Sequence, residues 1–164
     1  MKILFYAPIK YPNAEIQYIL LLSRKLIKRG FEIVIMASPG NPIVASARNE
    51  GLRVEDRFNL LTLNPLKLLA LRSGLKGWLA QEKFDLVDVH RSEGFVVLAG
   101  IIKGLNPRPA LVRTRQDMRP VRMDPINRRA YNSADAIIVS NRLLADDLIT
   151  RLRLPPEKLK VRDL

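Results

Sequence analysis

Residues 25–37 read KLIKRGFEIVIMA. The first five alternate apolar and basic side chains, as the last turns of an amphipathic helix do. Gly30 then stands where a helix ends most cheaply, because a residue without Cβ adopts the left-handed cap conformation freely. Phe31 to Ala37 follows, rich in β-branched residues and apolar on both faces. That pattern belongs to a parallel strand covered on both sides. A helix running straight into such a strand is the second half of a strand–helix–strand unit, so a first strand should lie upstream. Ile3 to Tyr6 supplies it. Pro8 and Pro12 break that strand, and Asn13 can cap a helix over 14–29 with Glu15 in its first turn. Ile16, Ile19, Leu20, Leu26 and Ile27 form its apolar face.

The alternation continues downstream. A turn at SPGNP leads to a short helix over 43–49, closed by Gly51. Residues 52–57 read as a weak, polar strand near an edge. A helix over 65–81 follows, weakened by Gly74 and Gly77. Then come a strand over 86–89, a helix over 95–103 and a strand over 110–114. A helix over 125–132, a strand over 136–140, a helix over 143–152 and a last strand over 159–161 complete the chain. Strand and helix alternating with short connections define an α/β fold, a doubly wound parallel sheet of Rossmann-like type. All 164 residues fit one domain with a substantial core. The closing LPPEKLKVRDL, residues 154–164, is a turn and a strand that lead nowhere. It sets the expectation that this chain is one half of a larger protein.

Composition narrows the chemistry. The chain has no cysteine and one histidine, His90. Disulfides, thiolate metal sites, cysteine nucleophiles and multi-histidine metal sites are therefore excluded, and no metal or cofactor is expected. No run of about 18 apolar residues exists to span a bilayer, and the start, MKILFYAPIKYPN, reads as a first strand rather than a signal peptide. The net charge of +12 calls for an anionic partner.

In a doubly wound sheet the ligand crevice lies beyond the carboxyl ends of the strands, where strand order reverses. The loops there are 7–13 and 90–94, with the loop after Thr114 close by. The Arg-rich segment 110–131, ALVRTRQDMRPVRMDPINRRAY, together with His90 and Glu93 should therefore face one cleft. Its six arginines are Arg113, Arg115, Arg119, Arg122, Arg128 and Arg129, opposed only by Asp117 and Asp124. Two or three of the six are expected to face the cleft.

The first loop, APIKYPNAE, has no glycine, carries two prolines and puts Glu15 where a phosphate would want bare N–H groups. A dinucleotide site and a P-loop are both disfavoured. Lys10 can still meet an anion. His90 can accept a proton near neutral pH or hydrogen-bond a sugar hydroxyl; the plainer reading is a strand-end histidine bonded to nearby backbone. Asp85 suits a turn, and Asp88 a half-buried pairing with an arginine. Ser140 and Asn141 can cap the next helix at the cleft edge, with Asn141 open to a ligand as well.

Taken in order, the ILFY strand, KLIKRGFEIVIMA, PGNPIVASARNEGLRV, FDLVDVHRSEG, LVRTRQDMRP and NSADAIIVSNRLLADDL resemble the N-terminal half of a GT-B glycosyltransferase of the retaining family 4. The resemblance covers nearly the whole chain and is greatest to members that build lipopolysaccharide or other envelope glycans. It implies a two-domain enzyme that takes a nucleotide-sugar as co-substrate. This half would bind a glycan or glycolipid acceptor, and its own C-terminal domain would bind the donor, so that the fragment alone would be inactive or nearly so. Lys10, Arg91, Glu93, Arg113, Arg115, Asp117 and Arg119 would line the acceptor side, where arginines can clamp an anionic acceptor bidentately. Tyr11, Pro12 and Asn13 stand where the family commonly has a glycine pair near the donor phosphates. Gln116 stands where relatives often have histidine; it can hydrogen-bond a donor sugar but cannot act as a base.

Two further partners come from charge. The stretch LLTLNPLKLLALRSGLKGWL, residues 60–79, mixes leucines with Lys67, Arg72, Lys76 and Trp78. Core packing is expected for most of its leucines, while its basic residues can touch an anionic leaflet. A cytoplasmic enzyme held peripherally at the inner face of a membrane fits this composition. Nucleic acid is the rival for the positive charge. Aromatics are only 6%, however, and the arginines occupy a loop rather than a recognition helix, so no nucleic-acid partner is expected. A noncatalytic sugar-binding or assembly module of the same fold is the other alternative.

Overall fold

The computed structural model describes residues 1–60 and 64–162, apart from the Pro65 side chain. Residues 61–63 of the leucine-rich stretch lie outside the described residues. Seven parallel strands form one sheet: β1 (Lys2–Tyr6), β2 (Glu32–Met36), β3 (Arg53–Glu55), β4 (Leu86–Val89), β5 (Ala110–Arg115), β6 (Ala136–Val139) and β7 (Leu159–Val161). Their order is β3-β2-β1-β4-β5-β6-β7, so the sheet grows in one direction from β1 and then reverses at β4. Phe5 pairs with Ile35 on one side and Asp88 on the other, and Val89 pairs with Arg113.

Six helices connect the strands: α1 (Ala14–Ile27), α2 (Pro42–Asn49), α3 (Pro65–Glu82), α4 (Phe95–Lys103), α5 (Pro125–Ser133) and α6 (Arg142–Leu152). Reversal of the strand order sends them to opposite faces, as crossovers of one hand require. On one face α1 and α2 bury Ile16, Ile19, Leu20, Ile43 and Val44 against Ile3, Phe5, Ile33 and Ile35. On the other, α3 to α6 bury Leu79, Leu98, Tyr131 and Leu148 against Leu4, Tyr6, Val87, Val89 and Ile137. Alternation along each strand divides the side chains between these two cores.

Helix α1 starts at the expected cap, where Asn13 Oδ1 accepts the Ile16 N–H at 3.3 Å. It ends two residues early, at Ile27, and Gly30 takes its positive φ of 84° in the turn beyond. The edge strand β3 is shorter than expected because only Arg53–Glu55 pair with β2. The leucines of α3 divide by position. Leu75 and Leu79 are buried with Trp78, but Leu66 and Leu69 are 78% and 69% exposed. The expectation that most of them pack inward therefore holds only for the later turns, which lie over the sheet.

Candidate functional site

The carboxyl ends of β4 and β5 open into a cavity of about 500 Å³, walled by α4, α5 and the β5–α5 loop. Its floor is made by Arg113 and Arg115. Two residues apart on one strand, they point to the same side of the sheet, and both are nearly fully buried, at 1% and 4% exposure. Main-chain carbonyls hold them. Arg113 Nη1 donates to Val89 O at 2.8 Å and to Thr114 O, and the guanidinium lies 5.7 Å over the Phe95 ring. Arg115 donates from Nε to Asp117 O at 3.3 Å and from Nη2 to Arg119 O.

Arg119 and Arg122 also line the cavity, so four of the six arginines reach it, more than the two or three expected. Arg128 and Arg129, on α5, are not part of its wall. Glu93 and Asp117 supply the negative charge. Asp117 collects three guanidinium groups: Arg119 at 3.2 Å, Arg115 at 3.5 Å and Arg91 at 3.9 Å. Burial works against its charge, but the Arg119 hydrogen bond and the neighbouring arginines hold its carboxyl below the usual range.

Arg91 also pairs with Glu15 at 2.9 Å, tying the β4–α4 loop to the first turn of α1. Burial pushes the Glu15 carboxyl up, against the pull of Arg91. The acid at the start of α1 is thus occupied by a protein cation.

Several sequence-derived candidates lie elsewhere. His90 was expected at the cleft; its side chain is wholly buried on the opposite side of the sheet. There it packs edge-on to Phe5 at 5.4 Å and beside Tyr18 at 6.2 Å. Alternation explains the placement: His90 continues the parity of Asp88, whose sheet partner Phe5 faces α1. The His90 Nε2 is 3.4 Å from Asp88 Oδ2. Asp88 itself accepts the Thr114 hydroxyl at 3.0 Å rather than an arginine, correcting the expected pairing. Neither ring nitrogen of His90 has a hydrogen-bond partner among the described residues, so the backbone-bonded reading does not describe it either.

Gln116 does not line the cavity, and its amide nitrogen is buried without a partner among the described residues. Lys10 and Tyr11 are exposed on the first loop. Asn13 and Asn141 are helix caps; Asn141 Oδ1 accepts the Leu144 N–H at 2.9 Å, while its amide reaches the Met118 sulfur at 3.5 Å.

The wall also uses residues that the sequence reading did not single out. Tyr131 and Asn127 come from α5, Val96 and Val97 from α4, and Leu60 from the segment before α3. Gly94 forms the corner at φ +76°. A Cβ there would run into the Tyr6 hydroxyl and come within 2.8 Å of the Leu60 Cβ. A glycine just before a helix, after HRSE, was the one available signal.

A seven-stranded parallel sheet reversing beside β1, with a polar cavity at its carboxyl end, defines a doubly wound, Rossmann-like domain. The family model for glycosyltransferase family 4 matches residues 17–162, and the chain belongs to that family.

Solved structures share the fold. A glycosyltransferase from Rickettsia africae superposes with a TM-score of 0.76 at 16% identity, over 98% of this chain and 42% of that one. Anabaena Alr3699/HepE, in complex with UDP and glucose, gives 0.73 at 17%, over 98% and 43%. The lipopolysaccharide outer core galactosyltransferase WaaB, in its apo form, gives 0.73 at 12%, over 98% and 45%. At these identities the likeness is one of fold. The chain spans less than half the length of each. No curated protein matches it in sequence.

Proposed function

We propose that this chain is the acceptor-binding half of a retaining glycosyltransferase, which moves a sugar from a nucleotide-sugar to an envelope glycan or a lipid-linked acceptor. The observation that carries the reading is the arginine-floored cavity at the carboxyl ends of β4 and β5 in a chain of family 4. The lipopolysaccharide galactosyltransferase among the structural relatives supports an envelope acceptor. Relatives more than twice as long support a second, donor-binding half. So does the first loop, where Tyr11, Pro12 and Asn13 leave no glycine cradle for a phosphate.

Retaining transfer asks that an acceptor hydroxyl attack from the face the nucleotide leaves, while negative charge grows on the departing diphosphate. The residues here act on the acceptor side. Glu93 can accept a hydrogen bond from an acceptor hydroxyl, and Arg113 and Arg115 can hold the acceptor in register. Orientation of this kind lowers the barrier by fixing the reacting atoms before reaction. Asp117 holds the loop that carries Arg119.

Transfer of labelled sugar from UDP-glucose and related donors to extracted envelope glycolipid, assayed with the donor-binding half present, tests the reading. Arg115→Ala should reduce acceptor use at least ten-fold while donor hydrolysis changes little. An unchanged acceptor KM and rate would remove Arg115 from the acceptor site.

A noncatalytic sugar-binding module is the second reading. One observation favours it: neither His90 nor Gln116 presents a group to the cavity. Failure to consume any nucleotide-sugar, with glycan binding intact, would select it.

A further inference from the structure

Arg113 is the largest side chain among those almost wholly buried, and it makes no ion pair within 4 Å among the described residues. A guanidinium taken out of water without a carboxylate is costly. Carbonyl oxygens satisfy one edge of it, through Nη1. Its Nε is buried and finds no partner among the described residues. Arg115 repeats the arrangement. Nε and Nη2 are held by carbonyls, Nη2 also lies 3.5 Å from the Asp117 carboxylate, and Nη1 is buried without a partner among the described residues. Both side chains line the same cavity. Carbonyl oxygens therefore hold both guanidinium groups in place at the cavity floor.

Arg119 and Arg122 add two cations to the rim, against Glu93 and Asp117. The Asp117 carboxylate already serves three guanidinium groups, leaving the cavity with excess positive charge. Behind Gly94 and outside the cavity lining, the Tyr6 hydroxyl is buried without a partner among the described residues. Burial, aided by Glu93, pushes its ionisation up, so it remains a neutral hydroxyl.

We infer that the acceptor carries a phosphate or carboxylate group, seated on Arg113 and Arg115, with its hydroxyl-bearing ring toward Glu93. This deepens the proposed glycosyl transfer and rests on it. Two guanidinium groups suit two oxygens of one anion, since charge-assisted bonds to planar donors are the strong ones. A neutral sugar would leave the excess positive charge of the cavity without a counter-charge.

Titration calorimetry of the protein tests this with glucose, glucose 6-phosphate and glucuronate. The charged sugars should bind at least ten-fold tighter than glucose, about 1.4 kcal/mol. Arg115→Met should remove that preference. Arg113→Met should do the same. Because Arg113 is a core residue, Arg115→Lys serves as a milder second variant, expected to retain the preference for charge but weaken it. A short-chain phosphatidic acid that competes with glucose 6-phosphate would place the anion on a lipid headgroup; competition by glucose 6-phosphate alone would place it on the sugar. Equal affinity of the wild-type protein for glucose and both charged sugars overturns the inference, whatever the variants do. Transfer from a nucleotide-sugar to neutral acceptors without preference for charge overturns it while leaving the transferase reading intact. Tight binding of charged sugars with no donor consumed in the presence of the donor-binding half would sink the transferase reading instead.

Discussion

Asp117 sits where Arg91, Arg115 and Arg119 converge, with 30% of its side chain exposed. Its carboxyl is held below the usual range, because the surrounding cations outweigh the cost of burial. A depressed folded pKa means the contribution is complete above the unfolded value, near 4, and is lost as pH falls through the folded one. Asp117→Asn should therefore be less stable than the parent at pH 7 by about 1 kcal/mol, discounted for partial exposure. Urea titrations from pH 7 to pH 3 should show the gap closing below pH ~4; a gap constant with pH would assign the loss to packing. His90 gives the opposite kind of prediction. Its ring fills space beside Phe5 and Tyr18 and never meets the cavity. His90→Ala should lower stability by about 2–4 kcal/mol, as large-to-small core changes do. Acceptor binding by the fraction that remains folded should be unchanged. Unaltered stability with lost transfer would return His90 to the chemistry.

The elements around the cavity explain which parts of it were legible in the sequence. Periodicity and caps marked nearly every helix and strand, because each buries a face whose spacing is set by backbone geometry. Arg113 and Arg115 were legible too, since they follow an apolar strand at the end where ligands collect. His90 was not placed correctly, because a one-residue change of parity decides which face a strand-end side chain takes. Tyr131 and Asn127 fell in the segment expected at the cleft but were not singled out, and Leu60 was not expected there, since their part in the wall depends on how α4, α5 and the segment before α3 meet. Gly94 shows the same limit from the other side: its glycine was readable, its reason was not. With φ +76° and the Leu60 Cβ 2.8 Å from any added Cβ, Gly94→Ala should cost about 1–3 kcal/mol and displace the cavity corner. Gly77 in α3, with nothing within 4 Å, is the control; Gly77→Ala should stabilise by about 0.5–1 kcal/mol. Denaturation midpoints moving the same way in both variants would refute the account of Gly94.

Across the whole molecule, the net charge of +12 exceeds what the cavity uses. Part of the surplus lies on α3, where Lys67, Arg72 and Lys76 are exposed beside Leu66 and Leu69. Two leucines at 78% and 69% exposure, three residues apart, occupy one side of the helix. No helix among the described residues is long and apolar enough to cross a membrane. Exposed leucines flanked by basic residues can rest on an anionic leaflet, which is a testable expectation for this helix. Each basic residue near an anionic leaflet contributes about 1 kcal/mol, and each leucine buried among acyl chains about 1.5–3 kcal/mol. Neither contribution alone anchors a protein, but together they exceed the roughly 4 kcal/mol of a millimolar contact. The protein should therefore sediment with phosphatidylglycerol vesicles and much less with phosphatidylcholine vesicles. Leu66→Ser with Leu69→Ser should lower the bound fraction at least ten-fold, and 0.5 M salt should weaken what remains by screening the cations. Equal sedimentation with both lipids would remove the electrostatic half of this account. Full binding by the double serine variant would remove the apolar half, and would leave the surplus charge to a soluble polyanion.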